Sequence, residues 1–169
     1  HPATGEKSIF NLKKLSQFSN SVFIKRLNID PYYYDKQINL NDEHSLKTHK
    51  VFSDKLNKMV EFATKQKIKT ILLFLPEKNQ VHPIYRKLYI DVGAKFKNNN
   101  LSKSNYPFIE QTLKSLKQVN SKDLIIINPL ENFREITSEG KDIYESDHHL
   151  NRFGYTLLSD LIFSKVSFR

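Results

Sequence analysis

Lys69-Thr70-Ile71-Leu72-Leu73-Phe74-Leu75-Pro76 is the stretch that decides the fold class. Its apolar residues run unbroken from Ile71 to Leu75 and stop at a proline. Such a run shows neither the alternation of a half-exposed strand nor the length of a buried helix. It reads as a strand covered on both faces, the habit of parallel sheets. A second run, Asp123-Leu124-Ile125-Ile126-Ile127-Asn128-Pro129, repeats the design. Helical patterns at about 83–97 and 106–119 lie between them, divided by Asn98-Asn99-Asn100. Parallel strands need a long crossover, and helix–strand–helix–strand–helix order supplies one, so the chain is assigned to the α/β class.

Upstream, residues 1–7 read as a flexible lead and residues 8–67 as a helical region, with 68–169 forming the α/β half of a single domain or partial domain. Gly5-Glu6-Lys7-Ser8 is no phosphate loop, because Glu6 interrupts the Gly-Lys-Ser order and no strand precedes it. Ile9 to Leu27 carries apolar residues at helical spacing. Asp30 to Asp35 then reads as an aromatic loop whose Tyr32, Tyr33 and Tyr34 pack over a neighbouring element. Asn41-Asp42-Glu43 starts a helix reaching about Gln66. Its expected inward face holds Leu46, Val51, Phe52, Leu56, Met59, Val60 and Ala63. His44 and His49 stand five apart, off the spacing of a zinc pair, and are read as solvated surface.

The 169 residues suffice for one core, and no apolar run is long enough for a membrane span. A net charge of +9 comes from lysines spread along the chain rather than gathered in a block, and no nucleic-acid signature accompanies them. The absence of cysteine rules out disulfides, thiolate catalysis and thiolate-bound zinc. No cofactor is implied.

Near the C-terminus stands Glu145-Ser146-Asp147-His148-His149-Leu150-Asn151-Arg152-Phe153-Gly154-Tyr155. Asp147 and His149 form a candidate general base with its orienting carboxylate, which fixes the tautomer and stabilises the imidazolium. A helix follows from Asn151, with Phe153, Leu157, Leu158, Leu161, Ile162 and Val166 as its expected inward stripe. Ligands of open α/β sheets bind beyond the carboxyl ends of the strands. Both strands end there in proline and polar residues, and the helix start is expected on the same rim. Lys78, Asn79 and Asn151 are therefore candidate binding residues. A metal site from Glu145, Asp147, His148 and His149 is disfavoured, since adjacent residues rarely point at one ion.

Asp147-His148-His149-Leu150-Asn151-Arg152-Phe153-Gly154 resembles the last block of SGNH/GDSL-type hydrolases and the related polysaccharide O-acetyltransferases, Asp-x-His-(Leu/Trp)-Asn-x-x-Gly before a helix. Leu72 to Val81 resembles their strand ending in Pro-x-Lys-x-x-Val. The resemblance covers the second half of the chain. It implies a three-layer, flavodoxin-like parallel-sheet architecture, His149 as catalytic base, Asp147 as its partner, and a serine nucleophile in a Gly-Asp-Ser block. It also implies an O-acylated glycan or small ester as substrate and an extracytoplasmic or cell-envelope location.

This sequence departs from that pattern. It has no Gly-Asp-Ser, no Gly-x-Ser-x-Gly elbow and only four glycines. The expectation is the C-terminal part of an SGNH-like serine esterase or O-acyltransferase, incomplete on the N-terminal side. A missing N-terminal segment or a second chain would then supply the serine. The alternative is a non-catalytic α/β module binding an anionic glycan or a protein partner through the basic surface, Tyr32–Tyr34 and Lys78.

Overall fold

The computed structural model of the chain describes residues 22–97, 106–116, 123–145 and 149–166. In order, the elements are α1 (Val22–Ile29), α2 (Tyr33–Asn39), α3 (Glu43–Lys65), β1 (Thr70–Leu73), α4 (Lys78–Val81), α5 (Pro83–Asp91), α6 (Pro107–Leu116), β2 (Leu124–Ile127), α7 (Leu130–Ser138) and α8 (Arg152–Lys165). The described part is mostly helical around a small parallel sheet, α/β in the general sense. The expected lead at residues 1–7 and most of the expected first helix lie outside the described residues.

β1 and β2 pair in parallel, Thr70 opposite Leu124 and Leu73 opposite Ile127. The Thr70 N–H donates to Asp123 O at 2.7 Å and the Phe74 N–H to Ile127 O at 2.9 Å. The strands are less covered than their apolar runs predict, with Ile71 43% and Ile126 38% exposed. A strand with one neighbour keeps an open edge, and among the described residues no third strand closes either one.

The main core gathers Val81, Tyr85, Phe133, Ile143, Tyr144 and Leu158 from α4, α5, α7, the segment before α8, and α8 itself. Leu73 packs against it from the end of β1. A second cluster joins Leu27, Tyr34, Tyr89 and Ala94. Tyr34 meets Tyr33 and Tyr89 edge-to-face at 5.1 and 4.9 Å between ring centroids, so these tyrosines pack as expected. Tyr33 to Asp35, however, already belong to α2 rather than to a loop.

The inward face of α3 follows the apolar spacing only in part, with Val60 buried and Leu56 and Ala63 half-buried as expected. Its start is as expected: Asp42 accepts from the Ser45 N–H at 2.8 Å, and Ser45 Oγ accepts from the Asp42 N–H at 3.3 Å. The buried residues are Ser45, His49, Ser53 and Val60, whereas Leu46, Val51, Phe52 and Met59 are exposed, Met59 by 68%. On α8, Leu158 is buried and Leu157, Leu161 and Ile162 are half-buried, but Phe153 is exposed.

His44 is exposed as expected, but His49 is not surface. Its Nε2 lies 2.9 Å from Thr112 Oγ1, 3.2 Å from Phe108 O and 3.3 Å from Ser53 Oγ. The Thr112 hydroxyl already donates to Phe108 O at 2.8 Å, so the neutral tautomer with its proton on Nε2 satisfies the network. A polar face on α3 thus locks onto α6, and this displaces the apolar stripe outward.

Burial pushes His49 below its ordinary 6.5, partly countered by the bond to Phe108 O. Burial likewise lowers His82, whose Nδ1 accepts the Ile84 N–H at 3.2 Å and caps α5. Both histidines take up a proton more readily unfolded than folded. Their contribution is complete above the unfolded value and is lost as pH falls through the depressed folded values. Urea denaturation should show stability falling from about pH 7.5 to about pH 5.5, by at most about 1.4 kcal/mol per pH unit for each histidine. His49→Gln should flatten part of that slope. A flat profile in the unaltered chain would contradict the neutral, buried assignment.

Candidate functional site

β1 leaves the sheet through Phe74, Leu75, Pro76 and Glu77 into the single-turn helix α4. The Glu77 side chain accepts from the Gln80 N–H, and Gln80 Oε1 accepts from the Glu77 N–H at 2.6 Å, a reciprocal cap that fixes the turn. The Gln80 carbonyl accepts from Arg134 Nε at 3.2 Å, Arg134 Nη2 at 3.1 Å and the Tyr106 hydroxyl at 3.2 Å. Thus α7 and the start of α6 brace α4, whose four residues are all buried.

The segment from Asp142 to Glu145 straps across this exit. Tyr85 donates its hydroxyl proton to Asp142 Oδ1, which also accepts the Tyr144 N–H at 3.1 Å. Tyr144 sends its own hydroxyl proton to Pro76 O at 3.0 Å. Lys78 Nζ donates to Glu145 O at 2.5 Å, 4.9 Å from the Tyr85 ring centroid and 5.7 Å from that of Tyr144. Burial raises both phenols far above their usual range, aided by Asp142 at Tyr85 and by Glu77 at Tyr144, so each stays a donor.

Lys78 is only 7% exposed. Withdrawing an ammonium from water costs several kcal/mol. A charge-assisted hydrogen bond returns about 1.5–3 kcal/mol, and each ring face about 0.5–2 kcal/mol. These contacts together offset much of that cost.

Beyond the strap the Glu145 N–H donates to His149 O at 2.8 Å, and Tyr144 bridges antiparallel to Leu150. The chain on either side of residues 146–148 is therefore paired, and His149 is exposed. Asp147 and His148 lie outside the described residues, so the expected Asp147–His149 pairing and the four-residue metal set rest on sequence. Among the described residues no cluster of three or more His, Asp or Glu could hold a metal ion.

The Asn-x-x-Gly part of the terminal block has a local structural account. Asn151 Oδ1 caps α8 by accepting the Gly154 N–H at 2.8 Å, while Nδ2 donates to Asp142 O at 2.8 Å. The Asn151 N–H donates to Ile143 O at 3.0 Å. That same carbonyl lies 2.3 Å from where a Cβ on residue 154 would stand, a separation only glycine permits. Asn151 thus spends its side chain on joining α8 to the strap.

Asn79 is 1% exposed, and among the described residues neither its Oδ1 nor its Nδ2 has a well-formed hydrogen bond, although its amide lies beside the Tyr89 hydroxyl. Lys78, Asn151 and the His149 backbone therefore converge on the strap, while Asn79 is buried beside Tyr89. Tyr85, Asp142 and Tyr144, which organise the site, carry no motif; the only signal was their flanking of the two blocks. A cleft of about 300 Å³ between α7 and α8, lined by Phe133, Ile136, Leu157 and Leu161 with Glu135 and Asp160, involves none of the candidate residues.

No protein-family model, no curated protein and no solved structure matches the chain.

Gly154→Ala should cost about 1–3 kcal/mol by driving the Ile143 carbonyl away. Asn151→Ala should cost about 1 kcal/mol through the lost cap. Chemical denaturation measures both. A neutral Gly154→Ala would show that α8 does not approach the strap this closely.

Proposed function

We propose that this chain is the C-terminal part of an SGNH-like serine esterase or O-acyltransferase, with His149 as general base and Asp147 as its orienting carboxylate. In this reading β1 and β2, with their helices, belong to a three-layer, flavodoxin-like sandwich completed by further strands. The observation that supports it is that the first of the two resembling blocks is bonded to the residues just before the second. Tyr144 bonds Pro76 and Lys78 bonds Glu145, whose N–H bonds His149 O, so His149 is linked to the carboxyl end of a parallel strand. A base near the carboxyl end of a parallel strand is what a rim site would call for.

The chemistry follows from those roles. A serine from another segment or another chain would attack the acyl carbonyl while His149 takes its proton. The leaving alkoxide recovers that proton from the imidazolium, and the acyl group remains on serine. Water or a sugar hydroxyl then attacks the acyl-serine as His149 again accepts a proton, and returning it frees the serine. The substrate is an O-acylated glycan or small ester, in an extracytoplasmic or cell-envelope setting. Among the described residues no helix is long and apolar enough to cross a membrane.

Without the serine block the 169-residue chain should not turn over p-nitrophenyl acetate above background. A longer product of the same reading frame containing a candidate serine should do so, and His149→Ala there should lower kcat by at least about a thousandfold. Full activity of that variant would remove His149 from the reaction. Turnover by the 169-residue chain that depends on His149 would place the nucleophile within it.

A further inference from the structure

We infer that Lys78 is a positioning residue for His149 rather than a contact for substrate: its buried ammonium clamps the strap whose last residue, Glu145, is hydrogen-bonded to His149. This rests on the reading of His149 as the base. Three observations carry it. Lys78 is 7% exposed, so its charge is aimed into the protein rather than over a binding surface. Its Nζ donates to Glu145 O at 2.5 Å, across 67 residues of chain. The same residue, Glu145, donates its N–H to His149 O at 2.8 Å, so the clamp acts on the residue bonded directly to the His149 backbone.

The choice of lysine points the same way. A methionine would fill the space between the Tyr85 and Tyr144 rings about as well. What lysine adds is a charged donor long enough to reach from the first residue of α4 to the strap, with two ring faces to receive the charge. Tyr144 reinforces the junction independently, through its hydroxyl to Pro76 O at 3.0 Å. The strand exit and the strap are thus tied at two neighbouring points, which restricts rotation of one against the other.

The test uses the full 169-residue chain. Acetic anhydride labelling read by mass spectrometry should spare Lys78 at doses that modify the exposed Lys67 and Lys69. In Lys78→Met, exchange of the Glu145 amide should accelerate about tenfold or more, while that of Leu158 inside α8 stays unchanged. The His149 ring cross-peaks should shift in the same variant. Lys78→Arg, which restores a charged donor, should recover part of the Glu145 protection. Labelling of Lys78 at the rate of Lys67 and Lys69 would overturn the inference, as would unchanged Glu145 exchange and His149 signals in Lys78→Met. Should Lys78→Met not fold, the labelling experiment on the unaltered chain decides alone. None of these readouts needs ester turnover. A protected Lys78 beside a catalytically inert His149 would defeat the esterase reading only, and a reactive Lys78 would defeat the clamp only.

Discussion

A buried ammonium must be answered by the protein around it, and in this chain the answer organises the whole C-terminal half. Lys78 leaves water at the end of β1 and is met by the Glu145 carbonyl and the faces of Tyr85 and Tyr144. Each of those partners is itself held. Tyr85 bonds Asp142, Tyr144 bonds Pro76, and Asn151 ties the start of α8 to Asp142 and Ile143. Loosening any one of them exposes an unpaired polar group in the core, which costs more than the net value of the bond that was lost. The strap is therefore far more fixed than its lack of regular structure suggests.

The sheet stands in contrast. Two short parallel strands leave Ile71 and Ile126 substantially exposed, and α3 turns Met59 and Phe62 outward. A parallel sheet normally has both faces covered, and a two-strand pair buries little of its own surface. The better-covered region is thus the carboxyl end of the strands, where the candidate site lies, with the buried Asn79 amide as its exception. The amino-acid runs that identified the strands are more apolar than their present surroundings require.

Some of this could be read in the chain itself. The apolar runs stopped by Pro76 and Pro129 located both strands and their parallel pairing, Asp42 marked the start of α3, and Asn151 marked the start of α8. The polar part of the buried face of α3 could not be read, because His49 is held inside by Phe108 and Thr112 on a helix some sixty positions away, with Ser53 bonded to it. Periodicity counts apolar residues and has no means of pairing a distant hydroxyl with an imidazole. For the same reason Lys78 reads from the sequence as a surface group. Its burial depends on two tyrosines and a carbonyl, none of which carries a recognisable pattern. The Asp147–His149 chemistry remains a reading of residue types, supported by where His149 is linked to the strap.

The most direct test of the account is whether the strand exit and the strap meet in solution. Nuclear Overhauser contacts in the unaltered chain address this, between the Lys78 side-chain methylenes and the rings of Tyr85 and Tyr144, and between the Tyr144 ring and Pro76. All of these contacts are predicted, at intensities comparable to those within the Tyr34–Tyr89 pair of the second cluster. Their absence, with the Tyr34–Tyr89 contacts present, would contradict the account.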